Sequence, residues 1–182
     1  MVLAPCCRLL VRQCWSRGVG EIMIYDEIAM NNGVIFQRAV DILNNKMQCG
    51  VINLTLESSG TDGKAALDAA LLVPIAVNSA FACELFIKSM LPPNTKGHKL
   101  DDLFTLLNSD IQERIKSLTI EKMKKLKSTY CDADFQGDLL HHNNIFVEWR
   151  YFHEGKSDSV NIQFVLALTK STFEIVNEER KK

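Results

Sequence analysis

Apolar residues recur along this chain at three- and four-residue intervals, the spacing that lines one face of a helix. Phe36, Ala39, Val40, Leu43 and Met47 form the first such set. It follows Asn31-Asn32-Gly33, a turn or helix-start signal, and Gly50 is expected to end it. Residues 51–63 carry Val51-Ile52-Asn53-Leu54-Thr55-Leu56 and then Ser58-Ser59-Gly60-Thr61-Asp62-Gly63. They read as a short strand, or as an extended connection, leading into a turn. Residues 64–91 are the longest helical stretch, with Leu71, Ile75, Asn78, Ala82 and Leu85 as a stripe. Pro74 lies within it and predicts a kink or a break, because proline lacks the N–H donor and crowds the preceding turn. Pro92-Pro93 stops it.

In the second half, Leu100, Leu103, Phe104 and Leu107 share one face of a helix over residues 97–107. Ser109 with Gln112 three residues on is a capping-box pattern opening another, whose apolar side is Ile111, Ile115 and Leu118. Ile120, Met123 and Leu126 continue or restart it. Residues 135–153 form the next helical stretch, and Gly155-Lys156-Ser157-Asp158-Ser159 a loop. Residues 161–179 close the chain with Val165, Leu168, Ile175 and Val176, followed by a charged, frayed end. With no internal repeat and no linker, the pattern predicts an all-α fold: a single antiparallel helical bundle of about five to six helices. The domain is expected to span residues 23–182. Residues 1–22 show no packing periodicity. Arg17-Gly18-Val19-Gly20-Glu21-Ile22 precedes Met23 and implies purine-rich codons, as in a bacterial ribosome-binding site translated by mistake. Met23 is therefore the expected start, and residues 1–22 a mis-assigned or disordered extension.

Composition narrows the function classes. The 182 residues are 47% hydrophobic and 24% charged, which is ordinary for a globular domain. A net charge of -1 supplies no global field for nucleic acid, so binding would need a local patch. Lys122, Lys124, Lys125 and Lys127 form one such patch, which a solvated helix face also accounts for. Cysteines at 6, 7, 14, 49, 83 and 131 include no CxxC pair and match neither a zinc ribbon nor a disulfide framework. Cys83 reads as a small core residue, and a reducing cytoplasm is the expected setting. No stretch approaches the ~20 apolar residues of a membrane span, and Arg8 and Arg12 interrupt the apolar start. No Walker loop, GxSxG elbow, HExxH or dinucleotide fingerprint is present. His141 and His142 are adjacent and point about 100° apart on a helix. With Cys131 and His153 they do not match zinc spacing. No metal or cofactor is expected.

The most informative polar groups lie in Phe146-Val147-Glu148-Trp149-Arg150-Tyr151-Phe152-His153-Glu154. An arginine wedged between aromatics in a helical core loses hydration unless it is paired or used. Arg150, His153 and Glu154 share a helix face, and Glu154 can orient the guanidinium. The trio suits a phosphate. Equally, Arg150 with Glu84 or Glu154 is an interhelical ion pair. Trp149, Tyr151 and Phe152 suit base stacking or packing between helices. His98, after Gly97, is expected to cap or orient the helix that follows, with a phosphate site at that N-terminus as the alternative. Asp101 and Asp102 in its first turn suit the helix dipole. Asn143-Asn144 marks polar contact with a partner or a local break.

Taken together, Asn78-x-x-Phe81-x-x-Glu84-x-x-x-Lys88, Gly97-His98-x-Leu100-x-x-Leu103-Phe104 and Glu148-Trp149-Arg150-Tyr151-x-x-Glu154 resemble the HEPN family (higher eukaryotes and prokaryotes nucleotide-binding). The resemblance covers roughly residues 65–176. It implies an up-and-down bundle, usually a homodimer, involved in RNA cleavage, nucleotide binding or defence against phage and stress, in some cases beside an antitoxin-like protein partner. Many HEPN domains are metal-independent ribonucleases with Arg, four to six residues, then His. The histidine acts as acid or base on the ribose 2′-OH, and the arginine stabilises charge on the phosphate. This chain departs from that spacing: His153 is three residues after Arg150, and Gly155, Lys156 and Ser157 stand where the histidine would fall. The resemblance therefore implies a module of bacterial stress or defence that binds RNA or nucleotide phosphate and is non-catalytic or weakly catalytic. Arg150, His153, Glu84, Lys88, His98, Asn78, Glu154, Trp149 and Tyr151 are its expected site. The alternatives are a ribonuclease using Arg150 and His153, and an interaction protein whose polar cluster only holds helices together.

Overall fold

The computed structural model describes residues 26–56, 67, 68, 70–145 and 160–182, with the backbone alone over 50–56. Among them are six helices and no strand: α1 (Glu27–Leu56), α2 (Leu72–Ser89), α3 (Leu100–Thr105), α4 (Ser109–Lys124), α5 (Asp132–His141) and α6 (Ile162–Glu179). The fold is all-α, as the periodicity predicts.

α1 begins earlier and ends later than its apolar spacing suggests. Asp26 opens it, its Oδ1 accepting from the amides of Ile28 and Ala29, each at 3.0 Å. Asn31-Asn32-Gly33 is therefore inside the helix, and Gly33 is there for close approach: a Cβ at this position would lie 2.6 Å from Phe86 Cε1. Gly50 does not stop the helix. The apolar run over residues 51–56 extends it and is not a strand, because a helix already formed propagates through one glycine at modest cost.

α2 is the central helix. Leu72 starts it, which places Pro74 in the first turn, where its missing N–H is no loss. Ala70 and Leu71 form a turn before it, so the break foreseen at the proline falls just ahead of it. The stripe read from sequence lies to one side of the buried face: Ile75 and Ala82 are buried, while Leu71, Asn78 and Leu85 are half-buried. Ile75, Ala76, Ser79, Ala80, Ala82, Cys83, Glu84, Phe86, Ile87 and Ser89 are buried over more than half of the helix circumference, and Val77, Asn78, Phe81, Leu85 and Lys88 on the remaining side are half-buried. By length and composition α2 is apolar enough to cross a membrane, at a mean hydropathy of 1.4, a feature its sequence reading understates. Within the bundle that surface is covered by α1, α6 and α3.

The amide of Asp26 donates to Ser89 O at 3.0 Å, so α1 and α2 run antiparallel. Arg114 bonds Glu178 and Glu179, and Lys122 bonds Glu174, so α4 and α6 are antiparallel too. Thr169 Oγ1 donates to Ser79 O, and Thr172 Oγ1 lies 3.8 Å from Cys83 Sγ, a pairing that runs α6 parallel to α2. Phe135 sits between Phe104 and Phe164, each ring centroid 5.8 Å away, and joins α3, α5 and α6.

Two further boundaries differ from expectation. Asn108, not Ser109, caps α4: its Oδ1 accepts from Asp110 N at 2.9 Å. Gln112 instead donates to Leu107 O and Thr105 O. α5 ends at His141, so Asn143 and Asn144 form a turn. Of the two readings of that dipeptide, the local break holds.

Candidate functional site

Three of the expected polar residues meet. Glu84 is buried in α2, and its Oε1 accepts from Lys88 Nζ at 2.8 Å and from the His98 ring nitrogen Nδ1 at 2.9 Å. Lys88 lies one helical turn on, while His98 arrives from the α2–α3 loop. Gly97, at φ 103°, lets that loop turn back, a conformation that strains residues with a Cβ. His98 thus does not cap α3: Lys99 holds the N-cap position without a side-chain bond, and His98 ties the loop to α2. The amide of Leu100 donates to Asn143 O at 2.8 Å, and Asn143 Nδ2 to Asp101 Oδ2 at 3.3 Å, so the turn after α5 closes over the start of α3. Glu84 Oε2 is buried and accepts no hydrogen bond.

Asn78 is apart from this cluster. Its amide donates to Pro74 O at 2.6 Å, which completes the first turn of α2. Phe81 stacks edge-on against Phe36 at 4.6 Å between centroids. Arg150, His153, Glu154, Trp149 and Tyr151 lie outside the described residues.

His142 is buried and bonded at both nitrogens. Nδ1–H donates to Asp138 O at 2.7 Å, and Nε2 accepts from the Asn161 amide at 2.8 Å. This fixes the neutral tautomer and joins the end of α5 to the start of α6. Burial holds its pKa below the usual imidazole value, against the raising effect of the Asp138 carbonyl. No group of three or more His, Cys, Asp or Glu side chains converges on a metal-sized site among the described residues.

A scan of protein-family models, a search of curated proteins and a search of solved structures each find no match. The HEPN resemblance rests on its motifs alone, and the chemistry must be read from the surface itself.

One surface has a lining suited to a ligand. Between α1, α4 and α6 runs a groove of about 450 Å³. Lys122 and Lys125 at the end of α4 and Lys170 on α6 edge it, Asn44, Gln48 and Gln163 supply side-chain amides, and Met123, Leu126, Leu166 and Ala167 form its apolar part. Among the described residues, no carboxylate lines it. Lys122 Nζ bonds Glu174 Oε2 at 3.0 Å and Lys125 Nζ lies 3.7 Å from Glu121 Oε1; neither carboxylate belongs to the groove lining.

Met123, Leu126 and Gln163 also line a neighbouring cleft of about 690 Å³ of opposite character. There Tyr130 OH donates to Asp138 Oδ2 at 2.7 Å, and burial, then Asp138, raise the phenol pKa. Lys127 bonds Asp134 at 2.9 Å and, with the Cys131 thiol and amide, lowers that carboxyl to about 2. The larger cleft is thus internally satisfied, whereas the smaller groove presents cations and amides. Of the lysine patch seen in sequence, Lys122 and Lys125 enter the groove, Lys127 pairs with Asp134 and Lys124 lies outside it. Sequence reasoning missed Asn44, Gln48, Gln163 and Lys170. Their helical spacing, i and i+4 on α1 and i and i+7 on α6, was visible, but only the packing of α1 and α6 beside α4 gives it meaning.

Proposed function

We propose that this chain is a helical module that binds RNA or nucleotide phosphate, and that the lysine-and-amide groove is its contact surface. The observation that carries the reading is a lining of three lysines and three side-chain amides, with no carboxylate among the described residues. Ammonium groups take phosphate oxygens as point charges. Amides offer donors and acceptors to base edges, and the Met and Leu side chains offer an apolar face to a base. The volume lies within the range of small-ligand sites. A setting in bacterial stress or defence is what the family resemblance adds.

Binding of labelled single-stranded RNA and of a labelled nucleotide, followed by anisotropy, tests this. Lys122→Ala/Lys125→Ala/Lys170→Ala should weaken both. If all three lysines contact phosphates, log affinity should fall with log salt at a slope of about -2, and the variant should lose most of that slope. Equal affinity and equal slope in the variant would rule the groove out.

A second reading is favoured by the Glu84 cluster, in which a buried carboxylate ties the α2–α3 loop to α2: the motif polar residues are structural and the chain acts through interaction. The ribonuclease alternative rests on Arg150 and His153. RNA cleavage in EDTA by the wild type, lost in both Arg150→Ala and His153→Ala, would replace simple binding with metal-independent cleavage.

A further inference from the structure

The lysine-and-amide groove and the larger cleft beside it are continuous. Met123, Leu126 and Gln163 line both. Leu126, 65% exposed, puts an apolar surface between the two compartments. Their far ends differ in chemistry: Lys122, Lys125 and Lys170 edge one, and Asp134, Asp138 and Asn161 line the other.

Internal pairing in the cleft engages Lys127 and Tyr130 and leaves one acceptor over. Asp134 is used on both oxygens: Oδ1 accepts from Lys127, and Oδ2 from the amide and thiol of Cys131. Asp138 is used on one. Its Oδ2 accepts from Tyr130 OH at 2.7 Å and from Asn161 Nδ2 at 3.2 Å, and these two donors fix the direction of the carboxylate. Its Oδ1 accepts from no described residue and is not buried. A carboxylate oxygen has two acceptor positions, so Asp138 offers two to the cleft. Beside it Gly137 leaves the wall open, with nothing within 4 Å of where a Cβ would stand.

We infer that the cleft takes a guanine base whose phosphate lies at the lysine end of the groove. The inference rests on the groove being a phosphate site. The Watson–Crick edge of guanine carries two adjacent donors, N1–H and the 2-amino group, with the acceptor O6 next to them. Asp138 Oδ1 accepts from the two donors, and the Gln163 side-chain amide donates to O6. Adenine and cytosine set a ring-nitrogen lone pair against the carboxylate, which repels it. Uracil offers one N–H between two carbonyls. Leu126 covers a face of the base. From Asn161 to Lys170 is about 14 Å along α6, a distance that base, ribose and phosphate bridge with the lysine side chain reaching the remainder. A free guanine nucleotide and a guanosine in single-stranded RNA share this chemistry.

Equilibrium binding of GMP, IMP, AMP and UMP to the full chain, and of short single-stranded RNAs differing in one G or A, tests the inference. GMP should bind about tenfold or more tighter than AMP or UMP, and IMP, which lacks the 2-amino donors, should fall between. Asp138→Asn is the deciding variant. Tyr130 and Asn161 both donate to Oδ2, so the carboxamide turns its oxygen to them and its NH2 to the cleft. A donor then stands where an acceptor was, and the preference should pass from GMP to AMP. Asp134→Asn removes an equal charge from a carboxylate bonded on both oxygens and should keep the preference for GMP. Melting followed by circular dichroism checks that each variant is folded. GMP binding as tightly as the G-containing RNA assigns the site to a free nucleotide, and tighter binding of that RNA assigns it to a strand. Equal binding of all four nucleotides, abolished by Lys122→Ala/Lys125→Ala/Lys170→Ala, would overturn the guanine inference and leave the phosphate groove standing. So would a folded Asp138→Asn variant that still prefers GMP. Binding of no nucleotide and no RNA would overturn both.

Discussion

Gly33 and Gly137 both lie inside helices, and the structure assigns opposite signs to their replacement by alanine. An alanine in a helix interior is favoured over glycine by about 1 kcal/mol from backbone entropy. At Gly137 on α5 nothing lies within 4 Å of the added Cβ, so Gly137→Ala should gain most of that. At Gly33 the Cβ would lie 2.6 Å from Phe86 Cε1 and 2.7 Å from Cδ1, against the 3.5–4.0 Å of a relaxed carbon contact. Something must move by about 1 Å. The Phe86 ring is fully buried and backed by Phe173 at 5.1 Å between centroids, so the strain falls on the α1–α2 spacing. Overpacking of this kind costs about 1–3 kcal/mol, and for a ring with no room to retreat the upper half of that range applies. Subtracting the helix gain leaves a net loss of about 1–2 kcal/mol, or a fall in Tm of about 2–8 °C for a chain of this size. Thermal melts and urea titrations followed by circular dichroism read both variants. A Phe86→Leu background, which removes the ring edge, should reduce the penalty of Gly33→Ala, with a coupling of about 1 kcal/mol. A Gly33→Ala protein as stable as the wild type would refute the close approach of α1 to Phe86.

Further outcomes follow from other sites. His142 is held neutral, with a folded pKa below the unfolded value of about 6.5. Its contribution to stability is therefore complete above that value and is lost as pH falls from there toward the folded pKa, since the unfolded chain takes up the proton first. Urea midpoints should drop over this window, and His142→Phe should flatten that part of the profile. Glu84→Ala should destabilise by about 3 kcal/mol, the low end for a broken buried pair, because Lys88 and His98 both reach solvent and can rehydrate. RNA affinity per folded molecule should stay unchanged, as Glu84 lies outside the groove. Burial raises the Cys83 thiol to about 12, so brief alkylation read by mass spectrometry should modify Cys49 and Cys131 in the native protein and Cys83 only after unfolding.

The fold was legible because helical periodicity is a local property. Leu100, Leu103, Phe104 and Leu107 are spaced as one face and are buried as one face. The errors came where local signals were ambiguous. Gly33 looks like a turn residue because glycine permits turns, yet here it answers to Phe86, fifty-three positions away. Residues 51–56 have the β-branched content of a strand, and their attachment to an existing helix outweighs it. Ser109 and Gln112 matched a capping box, but Ser109 is already the first helical residue, and Asn108, with its extended ψ of 141°, holds the cap position and accepts from the Asp110 amide.

The candidate site divides along the same line. The pairing of Glu84 with Lys88 is one helical turn of a single element, and the sequence displayed it. His98 joined them through a loop whose direction depends on the positive φ of Gly97, so its partner, though not its presence, needed the structure. The groove is different in kind. Asn44, Lys122, Gln163 and Lys170 come from three helices, and no one of them is unusual in its own segment. What sets them apart is which charges are absent beside them. The neighbouring cleft contains Lys127, but Asp134 takes its charge and Asp138 takes the Tyr130 hydroxyl. A lysine patch counted along the sequence cannot separate these two cases, because it does not show which lysines share a lining with a carboxylate: Asp134 and Asp138 line the cleft, whereas Glu174 and Glu121 pair with Lys122 and Lys125 from outside the groove lining. Once the helices are packed, the solvated-face reading fits Lys127, while Lys122, Lys125 and Lys170 line a groove whose described residues include no carboxylate. That difference, and not the number of lysines, is what makes the groove the surface to mutate.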